Sequence, residues 1–139
     1  MKKTGSKISL FLGGFLLMAI AHLAIQCENY IGPNNGDDQV LEKNRTEVTK
    51  TGNKIEEAFL SGNPDKVLDW VTPSALEHYT ELIEGSSSEN LKLFGEAFKA
   101  RELTLVSERY AEFAFIVDGA EFTVALSLGP DGSWKLMRL

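Results

Sequence analysis

Residues 110–128 read YAEFAFIVDGAEFTVALSL, and this stretch decides the fold. In its first half Ala111, Phe113, Phe115 and Val117 occupy every second position. In its second half Phe122, Val124, Leu126 and Leu128 alternate with Glu121, Thr123, Ala125 and Ser127. Side chains on a strand point alternately to opposite faces, so a period of two marks a strand with one apolar face. Asp118-Gly119, between the halves, is a residue pair that tolerates the two positive φ values of a tight hairpin turn. The stretch therefore predicts an antiparallel pair that needs a core on one side only.

The same period extends outward in both directions. From Arg101 onward Leu103 and Leu105 alternate with Glu102 and Thr104, which predicts a strand with both leucines on one face. Residues 129–132, GPDG, predict a second turn, and 133–139 a last strand. In simple register the second sheet face carries Thr104, Glu112, Ala114, Thr123, Ala125 and Ser127. These are small or polar, which suits solvent, a shallow pocket or a second copy of the chain.

Before Arg101 the apolar period is helical. A first helix, capped by Asp37 or Asp38 and ending near Leu60, places Val40, Leu41, Val48, Ile55, Ala58 and Phe59 roughly on one stripe. Gly52 and several threonines weaken its middle. Ser61-Gly62 ends it, and Asn63-Pro64 supplies a cap and a first-turn proline for a short second helix that buries Val67, Leu68 and Val71. Thr72-Pro73 repeats the device for a third helix with Leu76, Tyr79 and Ile83 on one side, stopped by Gly85. A fourth helix over 89–100 carries Leu91, Phe94, Ala97 and Phe98. Helices followed by strands give an α+β class: N-terminal helices on one face of a four-stranded antiparallel meander.

The amino terminus carries an address. Lys2, Lys3 and Lys7 precede an apolar run over 8–25, the layout of a secretory signal. Three of the 14 basic side chains precede Cys27, and all 20 acidic ones follow it, so the part from Cys27 onward has 11 basic groups and a charge of −9. That balance repels phosphate backbones and argues against nucleic-acid binding. Cys27 is the single cysteine, so an internal disulfide is excluded. Leu23-Ala24-Ile25-Gln26-Cys27 resembles the lipobox of bacterial lipoproteins, with Gln26 where that family usually has Gly, Ala or Ser. The resemblance implies cleavage before Cys27, lipid on its thiol, and a protein exported to the cell envelope and held to a membrane. Two other readings stay open: cleavage at the small-x-small site Ala19-Ile20-Ala21, and an uncut span over the 19 residues 8–26. The expected organisation is a signal at 1–26, a flexible tether at 27–38 and one domain at 39–139.

The domain also resembles a family. The phrase over 59–67, FLSGNPDKV, and the ending DGSWKL over 131–136 are similar to the opening and the final hairpin of the nuclear transport factor two-like, or SnoaL-like, cone fold. No strand pair separates the second and fourth helices, as it does in many members. The resemblance implies a cone-like cavity and dimerisation through the sheet, and its enzymes use His with Asp, or Tyr, for proton transfer. His78 is the one histidine after Cys27; Glu81 lies three positions on, and Asp69, Glu77 and Tyr79 are near in sequence. No family motif matches these positions, so no catalytic residue is carried over. His78, Trp70 and Trp134 are the candidate pocket residues. One histidine and one cysteine cannot build a zinc site, the acidic residues lack calcium-loop spacing, and no Gly-rich phosphate loop occurs, so no metal or cofactor is expected. The expected function is a membrane-anchored envelope lipoprotein with a non-catalytic ligand- or partner-binding domain. The alternatives are a cone-fold enzyme for a small hydrophobic substrate and a purely structural envelope protein.

Overall fold

Eight elements follow one another in a computed structural model that describes residues 35–139: α1 (Asn35–Leu60), α2 (Pro64–Leu68), α3 (Pro73–Glu84), α4 (Ser88–Phe98), β1 (Glu102–Val106), β2 (Tyr110–Val117), β3 (Ala120–Leu128) and β4 (Trp134–Arg138). The signal segment, Cys27 and the tether up to residue 34 lie outside the described residues. The four strands form one antiparallel sheet in the order β1-β2-β3-β4, so the fold is the α+β meander that the two periods predict.

Local chemistry explains most boundaries. Asp118 and Gly119 both take positive φ, 52° and 82°, and close the β2–β3 hairpin as the sequence requires. Asn63 accepts the Asp65 N–H at 2.9 Å and caps α2, and Ser87 accepts the Asn90 N–H at 3.1 Å and caps α4. Gly62, at φ 65°, ends α1. Thr72 stands at the N-cap of α3 but its hydroxyl pairs with Ser74 rather than with the helix amides. In the β3–β4 turn the Asp131 carboxylate accepts the Ser133 amide and hydroxyl, which holds its pKa below the ordinary carboxylate value.

Three expectations are corrected. α1 begins at Asn35, inside the stretch read as tether, with Asp37 and Asp38 in its first turn beside the unpaired N-terminal amides. Val40 and Leu41, read as core, are exposed, and the buried stripe starts with Asn44 and Val48. In β1 a bulge shifts the register between Leu103 and Leu105. Leu105 then sits on the open face, 47% exposed, and Val106 takes its place against the core.

The core lies between the helices and one sheet face. Val48, Ile55 and Phe59 of α1, Val67, Ile83, Leu91 and Phe98 join Phe113, Phe115, Val124, Leu126 and Leu136 in one buried cluster. Phe98 meets Phe113 and Phe115 edge-on at centroid distances of 5.7 and 5.5 Å. The outer edge of β4 is also taken. Thr72 N–H donates to the Leu136 carbonyl and Leu136 N–H to the Trp70 carbonyl, both at 2.7 Å, so the α2–α3 linker runs as a short parallel bridge beside the sheet.

Gly52 is buried in α1 because nothing larger fits. A Cβ there would stand 2.8 Å from Cζ of Phe113 and 2.9 Å from Nε of Arg101. Both neighbours are held, Phe113 by the core and Arg101 by Glu56 at 2.6 Å. Gly52→Ala is therefore expected to destabilise the domain by about 1–2 kcal/mol, although the same change in an open helix stabilises by about 1 kcal/mol. Urea unfolding checks this, and a rise in stability would contradict it.

Candidate functional site

Two helical segments meet the solvent at a groove of about 420 Å³. Lys54, Glu57 and Ala58 line it from α1, and Lys66, Asp69 and Trp70 from α2 and the turn after it. The spacing i, i+3, i+4 puts each trio on one side of its segment. Each trio has the same order: a lysine, a carboxylate, then an apolar residue. Gly62 turns the chain between them, so the two trios face one space.

Trp70 is half-buried and packs against the core. Its backbone carbonyl is fixed by Leu136, and Lys54 Nζ stands 5.7 Å from its ring centroid, within cation–π range. Lys135 Nζ reaches the Asp69 carbonyl at 3.4 Å. Among the described residues, none of Lys54, Glu57, Lys66 and Asp69 joins an ion pair. The groove thus combines one aromatic wall with two ammonium and two carboxylate groups whose charges sum to zero.

The three pocket candidates from the sequence do not converge. Trp70 lines the groove. Trp134 is 4% exposed and belongs to the core instead. His78 lies on the exposed side of α3 with its ring 4.8 Å from that of Tyr79, and it does not line the groove. No ion pair joins it to Asp69, Glu77 or Glu81 among the described residues. Tyr79 is buried, and its hydroxyl accepts the Leu139 N–H at 3.0 Å. Among the described residues no three His, Cys, Asp or Glu side chains come together as metal ligands. Sequence reasoning singles out none of Lys54, Glu57 and Lys66, and places Asp69 near His78 rather than at this groove. The signal was present in the repeated order of KIEEA at 54–58 and KVLDW at 66–70.

The open sheet face holds a second arrangement. Tyr110 donates its hydroxyl to Oε1 of Glu112, and Nη2 of Arg138 donates to the same oxygen at 2.8 Å. Arg138 pairs in register with Ala125, and Ala125 with Glu112, so the ion pair bridges over a residue without a long side chain. That explains why Ala125 is 1% exposed on a face without a helix. A register shift between Ala125 and Leu126 turns Arg138 to this face. Leu105 replaces Thr104 in the expected set, and the Thr104 hydroxyl donates to the Glu112 carbonyl at 3.2 Å.

No family model matches the chain, and neither does any curated protein or solved structure.

The hydrogen bond to Glu112, then burial, then the charge of Glu112 raise the pKa of Tyr110 above the ordinary phenol value. The neutral phenol is favoured in the folded state. Its contribution is present below the ordinary phenol pKa and is lost as pH rises through the raised one. Glu112→Gln is expected to bring the Tyr110 midpoint down. An ultraviolet titration of the phenolates, with Tyr110→Phe to assign the step, reads this. An unmoved midpoint would contradict the assignment.

Proposed function

We propose that this chain is an exported, lipid-anchored protein of the bacterial cell envelope whose domain is a non-catalytic binding module. The observation that carries the anchor is the position of Cys27, the sole cysteine, directly after the apolar run 8–25 that follows Lys2, Lys3 and Lys7. Two or three acyl chains at about 0.8 kcal/mol per buried CH₂ hold a protein to a bilayer where one chain does not. The start of α1 supports the same reading. Residues 36–43 are exposed on every side, and at 1.5 Å per residue they make a stem of about 12 Å that touches no core. A stem of this kind serves to hold a domain clear of a surface. The groove beside Trp70 supports the binding role. Its four charged groups have no ion-pair partners among the described residues, and its aromatic wall is already ordered.

A second copy of the chain is the protein partner that the open sheet face favours. Glu112 and Arg138 neutralise each other, which leaves Glu102 and Glu121 on β1 and β3 and Lys135 on β4. A two-fold axis parallel to the strands sets the acidic side of one copy against the basic side of the other. Ile116, 67% exposed, and Leu105 add apolar surface. The domain's cone-fold resemblance is part of this proposal, since it too implies pairing through the sheet.

The anchor and the dimer are measured independently. In cells fed an alkynyl palmitate analogue, the chain is expected to carry the label and Cys27→Ala to carry none. An unlabelled wild-type chain, or equal label in both, would overturn the anchor. In sedimentation of the full chain in detergent, a dimer is expected that Ile116→Asp dissociates. A wild-type monomer at tens of micromolar would remove the second-copy reading.

A further inference from the structure

We propose that the groove between α1 and the α2 turn is a binding site for a neutral saccharide chain. The proposal rests on reading this domain as a binding module and names the ligand class that the groove selects. The wall offers ammonium groups from Lys54 and Lys66 and carboxylates from Glu57 and Asp69. A phosphate or other anion meets two carboxylates there. A cation meets two ammonium groups, one of which already stands over the indole face. A hydroxyl both donates and accepts hydrogen bonds, so a row of hydroxyls can pair with all four groups. Such bonds have one charged partner each and are the stronger kind.

Trp70 supplies the second half of the match. A sugar ring has a flat face of C–H groups that lies against an aromatic surface, with its hydroxyls at the rim. The indole is amphipathic in the same sense, apolar in body and polar at Nε1. It is held in place by the core behind it and by the Leu136 amide on its carbonyl, so binding has to reorder only the Lys54 ammonium, which moves from the ring to a sugar hydroxyl. The volume of about 420 Å³ falls within the ~300–1,000 Å³ of small-molecule sites, and the groove is open to solvent, which lets a linked chain continue beyond it.

A peptide is the nearest competitor, because its amides also donate and accept. Extended peptides gain most from adding a strand to a free sheet edge. The edge beside this groove is that of β4, and Trp70 and Thr72 already occupy it through Leu136. The side chains remain for recognition, and they suit a polyol.

The test follows the indole N–H resonances of the full, nitrogen-labelled chain in a zwitterionic, sugar-free detergent. The probes are cellohexaose and chitohexaose, with tri-alanine and inorganic phosphate as the other arms. The Trp70 signal is expected to shift saturably with at least one hexasaccharide, while the buried Trp134 signal stays. Lys66→Gln with Asp69→Asn is expected to weaken that binding by about tenfold or more, two charge-assisted bonds being lost. Both residues are exposed, and an unmoved Trp134 signal reports that the variant is folded. No shift with either sugar, or undiminished binding by the variant, overturns the proposal. A shift with tri-alanine or phosphate alone also overturns it, and leaves the domain a binding module for a different ligand. The palmitate label reads the anchor separately.

Discussion

Arg101 is the interaction on which the packing of helices against sheet depends. It stands where the apolar period changes from helical to two, directly before β1. Its side chain is 8% exposed, and a guanidinium in that position needs partners for its donors. Nη1 donates to Oε2 of Glu56 at 2.6 Å and to the Phe98 carbonyl at 3.0 Å, and Nη2 donates to the side-chain oxygen of Asn53. The cation also lies 4.5 Å from the ring centroid of Phe98 and 5.5 Å from that of Phe113. One residue thus touches α1, the end of α4 and β2. Removing Glu56 would leave a charge with few partners, which costs several kcal/mol in buried pairs. The consequence is register: α1 must present Asn53 and Glu56, and it must carry glycine at 52, where Arg101 and Phe113 come closest.

That constraint, with the bridge to β4, positions the groove. Arg101 fixes the register of α1, and with it the positions of Lys54 and Glu57, which lie one place beyond Asn53 and Glu56. The hydrogen bonds of Leu136 to Trp70 and Thr72 fix the other wall. The groove is bounded by two segments that are each tied to the sheet, so the backbones that carry its aromatic wall and its charged side chains keep their spacing without a ligand. The same bridge takes the centre of the outer edge of β4, at Leu136, where the strand would otherwise present an unpaired amide and carbonyl.

The parts of this fold that are local in sequence were legible in it. Asp118-Gly119 specifies its own turn, Asn63-Pro64 its own cap, and the alternation over 110–128 its own buried face, since each acts over a few residues. What was not legible acts at a distance or breaks a period. The partners Arg101 and Glu56 are 45 residues apart, and nothing in either neighbourhood announces the other. Gly52 reads as a weak point in a helix until the ring of Phe113 is placed against it. The bulges in β1 and β4 each move one residue across the sheet, Leu105 outward and Arg138 onto the open face, and alternation alone cannot foresee a skipped position. The groove was half legible. Trp70 was recognised as a candidate, while the lysines and carboxylates looked like ordinary solvated helix faces until two segments faced each other. His78 fell outside because it lies on the exposed side of α3, away from the groove.

In the proposed anchoring, the charge of −9 after Cys27 would repel anionic lipid, and the exposed start of α1 would serve as a spacer between anchor and core. That proposal depends on lipid at Cys27. The most direct measurement is the intact mass of the chain purified from membranes. The account predicts a polypeptide that begins at Cys27 and is heavier than its sequence by a diacylglycerol thioether, with or without an amide-linked acyl chain. A mass equal to the bare sequence from residue 22, or to one that retains residues 1–26, would contradict it.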